Sequence, residues 1–413
     1  MTRRRKRYAA GRAVGTVLTA LGVLAGAALS GAAPAAAVRG GGTEIAPGVT
    51  YEQFDLAAAK GTAHAHLLTV DLRNRRVRLD LLHPGAVAAR APVSHMADEA
   101  GAVAGVNGDF FNITETQHPG VEATGATVGP AIAHGRVLKA AVPGGQRFGP
   151  APPPGTSTED VLGVGTDRRA RLDRLRLEGS VGAPGERLPL GGLNQYALPV
   201  ESVGAFTARW GGASRVRATC GTDTVRADPC STDTYEVTVR HGRVVAAADK
   251  PGSGPIAADT TVLVGREAGA RRLRKLSTGV RVTVRYRLVA SSSRVPYRFA
   301  LGGCPVLRDG QPLPGLDRVT SAVRTAVGIA DGGRRLLLLA LDGAPAYRSG
   351  LTIAEVADEM AALGSVDAFS LDGGGSTELV AREPGAGSVS VRNHPSDGAE
   401  RPVPNGIGVF SAP

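Results

Sequence analysis

Two stretches of this chain share an ending. "RRLLLLALDG", residues 334–343, is a continuous apolar run that stops at Asp342, and "VDAFSLDGGGS", residues 366–376, is a shorter one that stops at Asp372. Apolar runs without polar alternation predict strands covered on both faces. Between them lies "LTIAEVADEMAALG", with Thr352 and Glu355 at capping-box spacing, Ile353, Val356, Met360 and Leu363 on one helical stripe, and Gly364 as a stop. Strand, helix and strand predict a β-α-β unit, whose crossover is right-handed if the strands run parallel. In a parallel pair both "LDG" ends lie at one sheet edge, where open α/β sheets place their ligands. Two aspartates then converge.

The rest of the chain is built from shorter pieces. "HLLTVDLRNRRVRLDLLHP" alternates around a polar break and predicts a β-hairpin. A helix is expected from Pro92 to Glu99, then a strand from Val103 to Val106 that delivers Asn107 to Phe111 into a loop. Short β-like runs such as "YEVTVRHGRVVAAA" and "VRVTVRYRLV" recur from about residue 172 to about 290, which predicts an antiparallel subregion. The fold class expected is α/β, in the mixed α+β sense: a core sheet with a β-α-β unit near the C-terminus and a β-rich middle. The cluster Arg266 to Lys275 is expected on a solvated face.

Residues 1–37 read as an export signal: Arg3, Arg4, Arg5, Lys6, Arg7 and Arg12 precede the apolar stretch Ala13 to Leu29, and "GAAPAAAVRG" offers a cleavage site after Ala37. The mature protein, 38–413, is therefore expected to be secreted, without stable membrane insertion. Removing six basic and no acidic residues lowers the formal charge from +11 to about +5. A mildly basic chain suits anionic wall polymers or phosphate esters. With few aromatic residues and no compact basic stripe, it gives no nucleic-acid footprint. Of three cysteines, Cys220 and Cys230 flank a polar loop and favour a disulfide over a metal pair in an oxidising compartment, and Cys304 lies in apolar text as a buried thiol. The histidines form no metal-ligand cluster, although His64 and His66 share a strand face. No cofactor is called for, and a structural calcium ion is compatible with the chain.

Four segments carry candidate chemistry. In "DGGGST" the amides of Gly373, Gly374 and Gly375 and the hydroxyls of Ser376 and Thr377 can approach an anion, though a plain turn explains the glycines equally well. "GVNGDFFN" offers Asn107 and Asp109 to sugar hydroxyls or to acid/base work, against an Asn-Gly turn. "VRTAVGIA" places Arg324 beside Thr325, a pair suited to phosphate. Near the C-terminus, Asn393, Glu400, Arg401 and Asn405 lie in polar loop text.

Taken in order, "GVNGDFFN", "RTAVGI", "LLLALDG", "GLTIAEVADEMAALG", "AFSLDGGGSTELV" and "ERPVPNGIGVF" resemble the phosphodiester glycosidase family, which includes the lysosomal uncovering enzyme, N-acetylglucosamine-1-phosphodiester alpha-N-acetylglucosaminidase. The resemblance is dense from Val323 to Phe410 and looser across the middle. It implies hydrolysis at an anomeric carbon whose leaving group is a phosphate ester. Such a group leaves as a stable anion, so stabilising its charge matters more than protonating it. Asp372 is the first candidate catalyst, Asp342 the second and Glu378 a weaker third, with Arg324 and the glycine amides on the phosphate. The expected substrate is a sugar-1-phosphodiester in a wall or extracellular glycopolymer. A non-catalytic binder of anionic glycans and a phosphodiesterase cutting the P–O bond are the alternatives.

Overall fold

A computed structural model describes residues 41–412, which fall within one compact unit. The export-signal reading concerns residues outside that range. An eight-stranded sheet organises the molecule, with strands in the order Thr43–Ala46, Val49–Ala58, Gly61–Asp71, Arg335–Leu341, Thr325–Ala330, Asp367–Ser370, Cys304–Arg308 and Gln311–Pro312. Thr325–Ala330 pairs antiparallel with Arg335–Leu341 on one side and Asp367–Ser370 on the other, so the two aspartate-bearing strands are parallel with one strand between them. The helix joining them, Ile353–Ala362, begins with the expected capping box: the Thr352 side chain accepts from the Glu355 amide, and the Glu355 carboxylate accepts from the Thr352 amide. Gly364, at φ 89°, follows its end in the left-handed region.

The unbroken apolar text of Arg335–Leu341 has a simple cause. Leu336, Leu338 and Ala340 face one core, with Leu79, Leu81, Val106, Leu379, Ile407 and Val409 of a second sheet. Leu337, Leu339 and Leu341 face another, under Ile353, Val356, Ala357 and Met360 of the helix. Both faces exclude water, so neither can be polar. The α/β expectation holds loosely: a helix covers one face, but sheet covers the other. Strands dominate throughout, and the α-helices among the described residues are Val93–Ala100, Ala268–Leu273 and Ile353–Ala362. The expected β-like runs in the middle form the strands Ala170–Ala183, Thr234–Arg240, Arg243–Ala248, Thr260–Arg266 and Thr283–Ala290, all antiparallel to their partners.

Two expectations need correction. The predicted hairpin does not form. Gly61–Asp71 pairs with Val49–Ala58 and Arg335–Leu341, whereas Val77–Leu82 pairs with Gly406–Ser411 in the second sheet. Leu68 and Val70 meet Leu79 and Leu81 across one core, so the chain steps between packed layers. The step is held by Arg168, whose Nη2 donates to the carbonyls of Leu72 at 2.8 Å and Val77 at 3.2 Å. In the basic cluster, Arg266 is buried, donating to Ser231 Oγ, Leu198 O and Gly221 O. The solvated face begins only with Arg271 and Arg274, which pair with Asp233.

Candidate active site

The second sheet brings Asn107 to the edge where the aspartate strands end. Ala104–Asn107 lies between Leu379–Arg382 and Gly406–Ser411, and Asn107 pairs with Gly406 at its rim. The fully buried Asn107 amide joins the two sheets: Oδ1 accepts from Thr325 Oγ1 at 2.6 Å and from the Glu378 amide at 3.1 Å, and Nδ2 donates to the Asp372 carbonyl at 2.8 Å. Thr325 and Asn107, expected as substrate contacts, thus hold the floor on which Asp372 stands.

Asp372 is followed by a tight turn, Gly374–Ser376. Its Oδ1 accepts from the Gly373 amide at 3.0 Å, and Ser376 also hydrogen-bonds the carboxyl. Burial raises the Asp372 pKa to about 6 against these contacts and the nearby Arg401 charge. A group with that pKa exchanges protons near neutral pH. The expected triple-amide cradle is only partly available: the Gly373 amide serves Asp372, and the Gly374 amide donates to Val323 O at 2.8 Å. Gly375 has a different duty. A Cβ there would stand 2.2 Å from both Arg401 Nη2 and Asp397 Oδ2, so glycine lets the arginine close on the turn.

Asp342 is quite different. Its Oδ1 accepts from the Ala344 amide at 2.7 Å, and its Oδ2 faces His394 Nδ1 at 2.7 Å, the His394 amide at 3.2 Å and His66 Nε2 at 3.3 Å. Burial pushes this carboxyl up, but the contacts from His394, Ala344 and His66 outweigh it and hold the pKa below the usual range. His66 is buried, its own pKa lowered to about 4 by that burial, and its Nδ1 meets Tyr51 Oη at 2.7 Å. His394 is 75% exposed in its side chain. The ring is tied to Asp342 through Nδ1 and is otherwise largely open to solvent.

One loop clamps both strand ends. Asn393 Nδ2 donates to the carbonyls of Leu341 and Thr377, His394 reaches Asp342, Ser396 Oγ donates to Gly374 O at 3.2 Å, and Arg401 Nη1 donates to Ser376 Oγ at 3.2 Å. Beside Arg401, Glu400 accepts from Ser94 Oγ at 2.7 Å and shares a hydrogen bond with buried Glu378. Burial, then Glu400, raises the Glu378 pKa to about 9, so this pair holds one proton at neutral pH. The dyad anchors the loop beneath Arg401.

Asp109 lies deeper. It is buried, its Oδ2 accepts from the Gly129 amide at 2.6 Å, and its own amide donates to Asn405 Oδ1 at 3.0 Å. Gly108 permits that last contact, since a Cβ would sit 2.2 Å from Asn405 Oδ1. Burial raises Asp109 to about 6 against the opposing charge of Lys139, which burial in turn lowers to about 7. Lys139 donates to the carbonyls of Val128, Gly129 and Ala140, and Asp372 adds its repulsion to Asp109. Asp109 Oδ1, Thr377 Oγ1 and Glu378 Oε1 are buried without a hydrogen-bond partner.

Arg324 stands against the turn, its Cδ 3.7 Å from where a Cβ on Gly373 would be, but its guanidinium is engaged elsewhere. Its Nε donates to Leu351 O at 3.1 Å and its Nη2 to Thr320 O at 2.8 Å, so the guanidinium staples two loop segments. The cation beside Asp372 is Arg401. Cys220 and Cys230 are joined as a disulfide, and Cys304, opposite Ser370 on the neighbouring strand, is a buried free thiol. Sequence reasoning missed His66, His394 and Lys139. His394 was within reach, standing in the same polar loop as Arg401, but nothing local ties it to Asp342, 52 residues away.

Two of the solved structures that this chain resembles share its fold. A hypothetical protein from Synechocystis is 20% identical with a TM-score of 0.66; the match covers 89% of this chain and 62% of that one, so this chain spans less than two thirds of its length. A protein from Burkholderia pseudomallei, described as exported, is 24% identical with a TM-score of 0.63, over 84% of this chain and 74% of that one. The zebrafish N-acetylglucosamine-1-phosphodiester alpha-N-acetylglucosaminidase catalytic domain, auto-inhibited by its pro-peptide, is 15% identical with a TM-score of 0.43, over 91% and 87% of the two chains. Among curated proteins, none matches this chain. Residues 233–410 match the family model for phosphodiester glycosidase. The resemblance to the phosphodiester glycosidase family therefore holds over the segment that supplies both aspartate-bearing strands, the DGGGS turn and the loop that clamps them.

Proposed function

We propose that this protein hydrolyses the bond between the anomeric carbon and the phosphate oxygen of a sugar-1-phosphodiester. The observation that carries the reading is the pairing of a raised-pKa carboxyl, Asp372, with the Arg401 guanidinium at one sheet edge. Asp372 takes a proton from water, the water oxygen bonds to the anomeric carbon, and the C–O bond to phosphate breaks with its electron pair on the departing phosphate monoester. Arg401 and Ser376 stabilise that charge, in place of the Arg324 expected from sequence. His394, oriented by Asp342, passes the proton on to solvent. Burial alone holds the Asp372 proton on, and the Asp372 charge in turn helps raise the pKa of Asp109 behind it.

The family resemblance supports the reaction class. The basic N-terminal residues followed by an apolar stretch, together with the Cys220–Cys230 disulfide, support action outside the cell on a wall or extracellular glycopolymer. The test is hydrolysis of sugar-1-phosphodiesters in oxygen-18 water. Label in the released sugar is expected. Label in the phosphate would mean attack at phosphorus and would overturn the mechanism, and a screen with no sugar released would leave a glycan binder as the better reading.

A further inference from the structure

Away from the aspartate edge, two cavities of about 420 Å³ each adjoin at His134. Arg75, Arg78 and Arg298 line the first; Arg136 and Arg209 line the second. Among the lining residues there is no carboxylate. Two carboxylates adjoin them: Asp167, against the lining Gly165 and paired with Arg171, and Asp80, wholly buried behind the wall, whose Oδ2 faces His134 Nδ1 at 2.7 Å, Arg298 Nε at 3.7 Å and Arg78 Nη1 at 3.9 Å. Asp80 Oδ1 also accepts the His134 amide at 3.0 Å, which pins the His134-Gly135 turn between the two cavities. One anion therefore organises several cations and cannot neutralise them. Arg78 and Arg298 repel each other, and His134 and Arg209 both act to depress the protonation of neighbouring His83.

Like charges held together on a concave surface are a standing cost that an anion removes, and guanidinium forks match phosphate oxygens. Two cavities in series exceed the size of a single phosphate. No Phe, Tyr or Trp is among their lining residues, so the broad stacking platform on which single-stranded nucleic acid depends is missing. The second cavity also shares His83 and Leu138 with a small recess that reaches Lys139 and Asn405, the latter bonded to the Asp109 amide. The track thus points toward the inner side of the aspartate edge.

We infer that the trough through His134, formed by Arg75, Arg78, Arg298, Arg136 and Arg209, binds an extended polyanion with repeated phosphate groups, the chemistry of a phosphate-linked glycan chain. The trough's charge stands on its own residues; its use in holding a polymeric substrate rests on the hydrolase reading above. The experiment separates the two by measuring binding and turnover independently. Medium-chain inorganic polyphosphate is titrated into the purified protein at about 50 and about 200 mM salt, with inorganic phosphate and a single-stranded DNA of matched charge as comparators. Polyphosphate is expected to bind more tightly than either comparator and to weaken about tenfold or more over that salt range.

Arg78→Ala/Arg298→Ala should weaken polyphosphate binding about tenfold while leaving turnover of a small sugar-1-phosphodiester unchanged. Because those two flank buried Asp80, the exposed pair Arg75→Ala/Arg136→Ala gives a second reading that does not depend on its surroundings, with a loss of several-fold expected. Arg187→Ala/Arg285→Ala, in a separate surface cavity, removes equal charge and should change nothing. Equal losses from all three pairs, unchanged binding in the trough variants, or tighter binding of DNA would each overturn the inference. If polyphosphate binds at the trough but no sugar-1-phosphodiester is cleaved, the hydrolase reading fails and the trough stands.

Discussion

Asp342 and Asp372 end parallel strands of one sheet with the same three letters, Leu-Asp-Gly, yet their carboxyls live in opposite conditions. Asp342 is enclosed by two histidines and two backbone amides, and these hold its proton off. Asp372 is desolvated with a hydroxyl and a single backbone amide, and burial holds its proton on, to a pKa of about 6. A carboxylate whose oxygens are already occupied is built to orient a neighbour. One with a raised pKa is built to exchange a proton with something that arrives. The pair that sequence reading ranked first and second is divided by its surroundings into a member with a raised pKa and a member with a lowered one.

The sharpest way to break that division is Asp372→Asn, which should lower kcat by about 10³-fold or more with the fold intact. Turnover near wild type would remove Asp372 from the chemistry. Next in size, Asp342→Asn and His394→Ala should each lower kcat about 10²-fold, and the double variant should be no worse than the more damaging single one, because the second change removes a partner already idle. Additive losses would mean that Asp342 acts without His394. Arg401→Ala should raise KM or lower kcat about tenfold to 10²-fold, whereas Arg324→Ala should leave KM for the phosphodiester near wild type and cost about 1–3 kcal/mol of stability, read by denaturant unfolding, through two orphaned carbonyls. A large KM effect confined to Arg324→Ala would return the phosphate to the arginine first expected.

The smallest effect lies in stability against pH, where the two aspartates should pull in opposite directions. Asp342, lowered on folding, contributes stability above the ordinary carboxylate pKa that is lost as pH falls through its folded value. Asp372, raised on folding, holds its proton in the native state from about pH 4 to about pH 6 while the unfolded chain has released it, so its contribution declines as pH rises through that window. Asp372→Asn should therefore be more stable than wild type by about 1–2 kcal/mol at pH 7 and indistinguishable from it near pH 4. A constant difference at both values would mean the carboxyl is not desolvated.

Much of this was legible from local text. Continuous apolar runs mean two covered faces wherever they occur, so the strands ending at Asp342 and Asp372 could be read without knowing what covers them. The capping box and Gly364 depend only on near neighbours, and the helix formed where they put it. The parallel run of the two strands followed from that helix, because a crossover returns the chain to the same edge. What lay beyond reach were choices between partners distant in sequence. Whether Val77–Leu82 folds back on its predecessor or steps into another layer depends on Gly406–Ser411, far down the chain. That the charge acting on Asp372 comes from Arg401 and not from Arg324 depends on which guanidinium meets backbone carbonyls first. And two identical "LDG" endings acquire different proton affinities only when His66 and His394 arrive at Asp342 from other strands and loops while burial closes over Asp372, since a pKa is set by desolvation and neighbouring charge in space, which the order of residues does not encode.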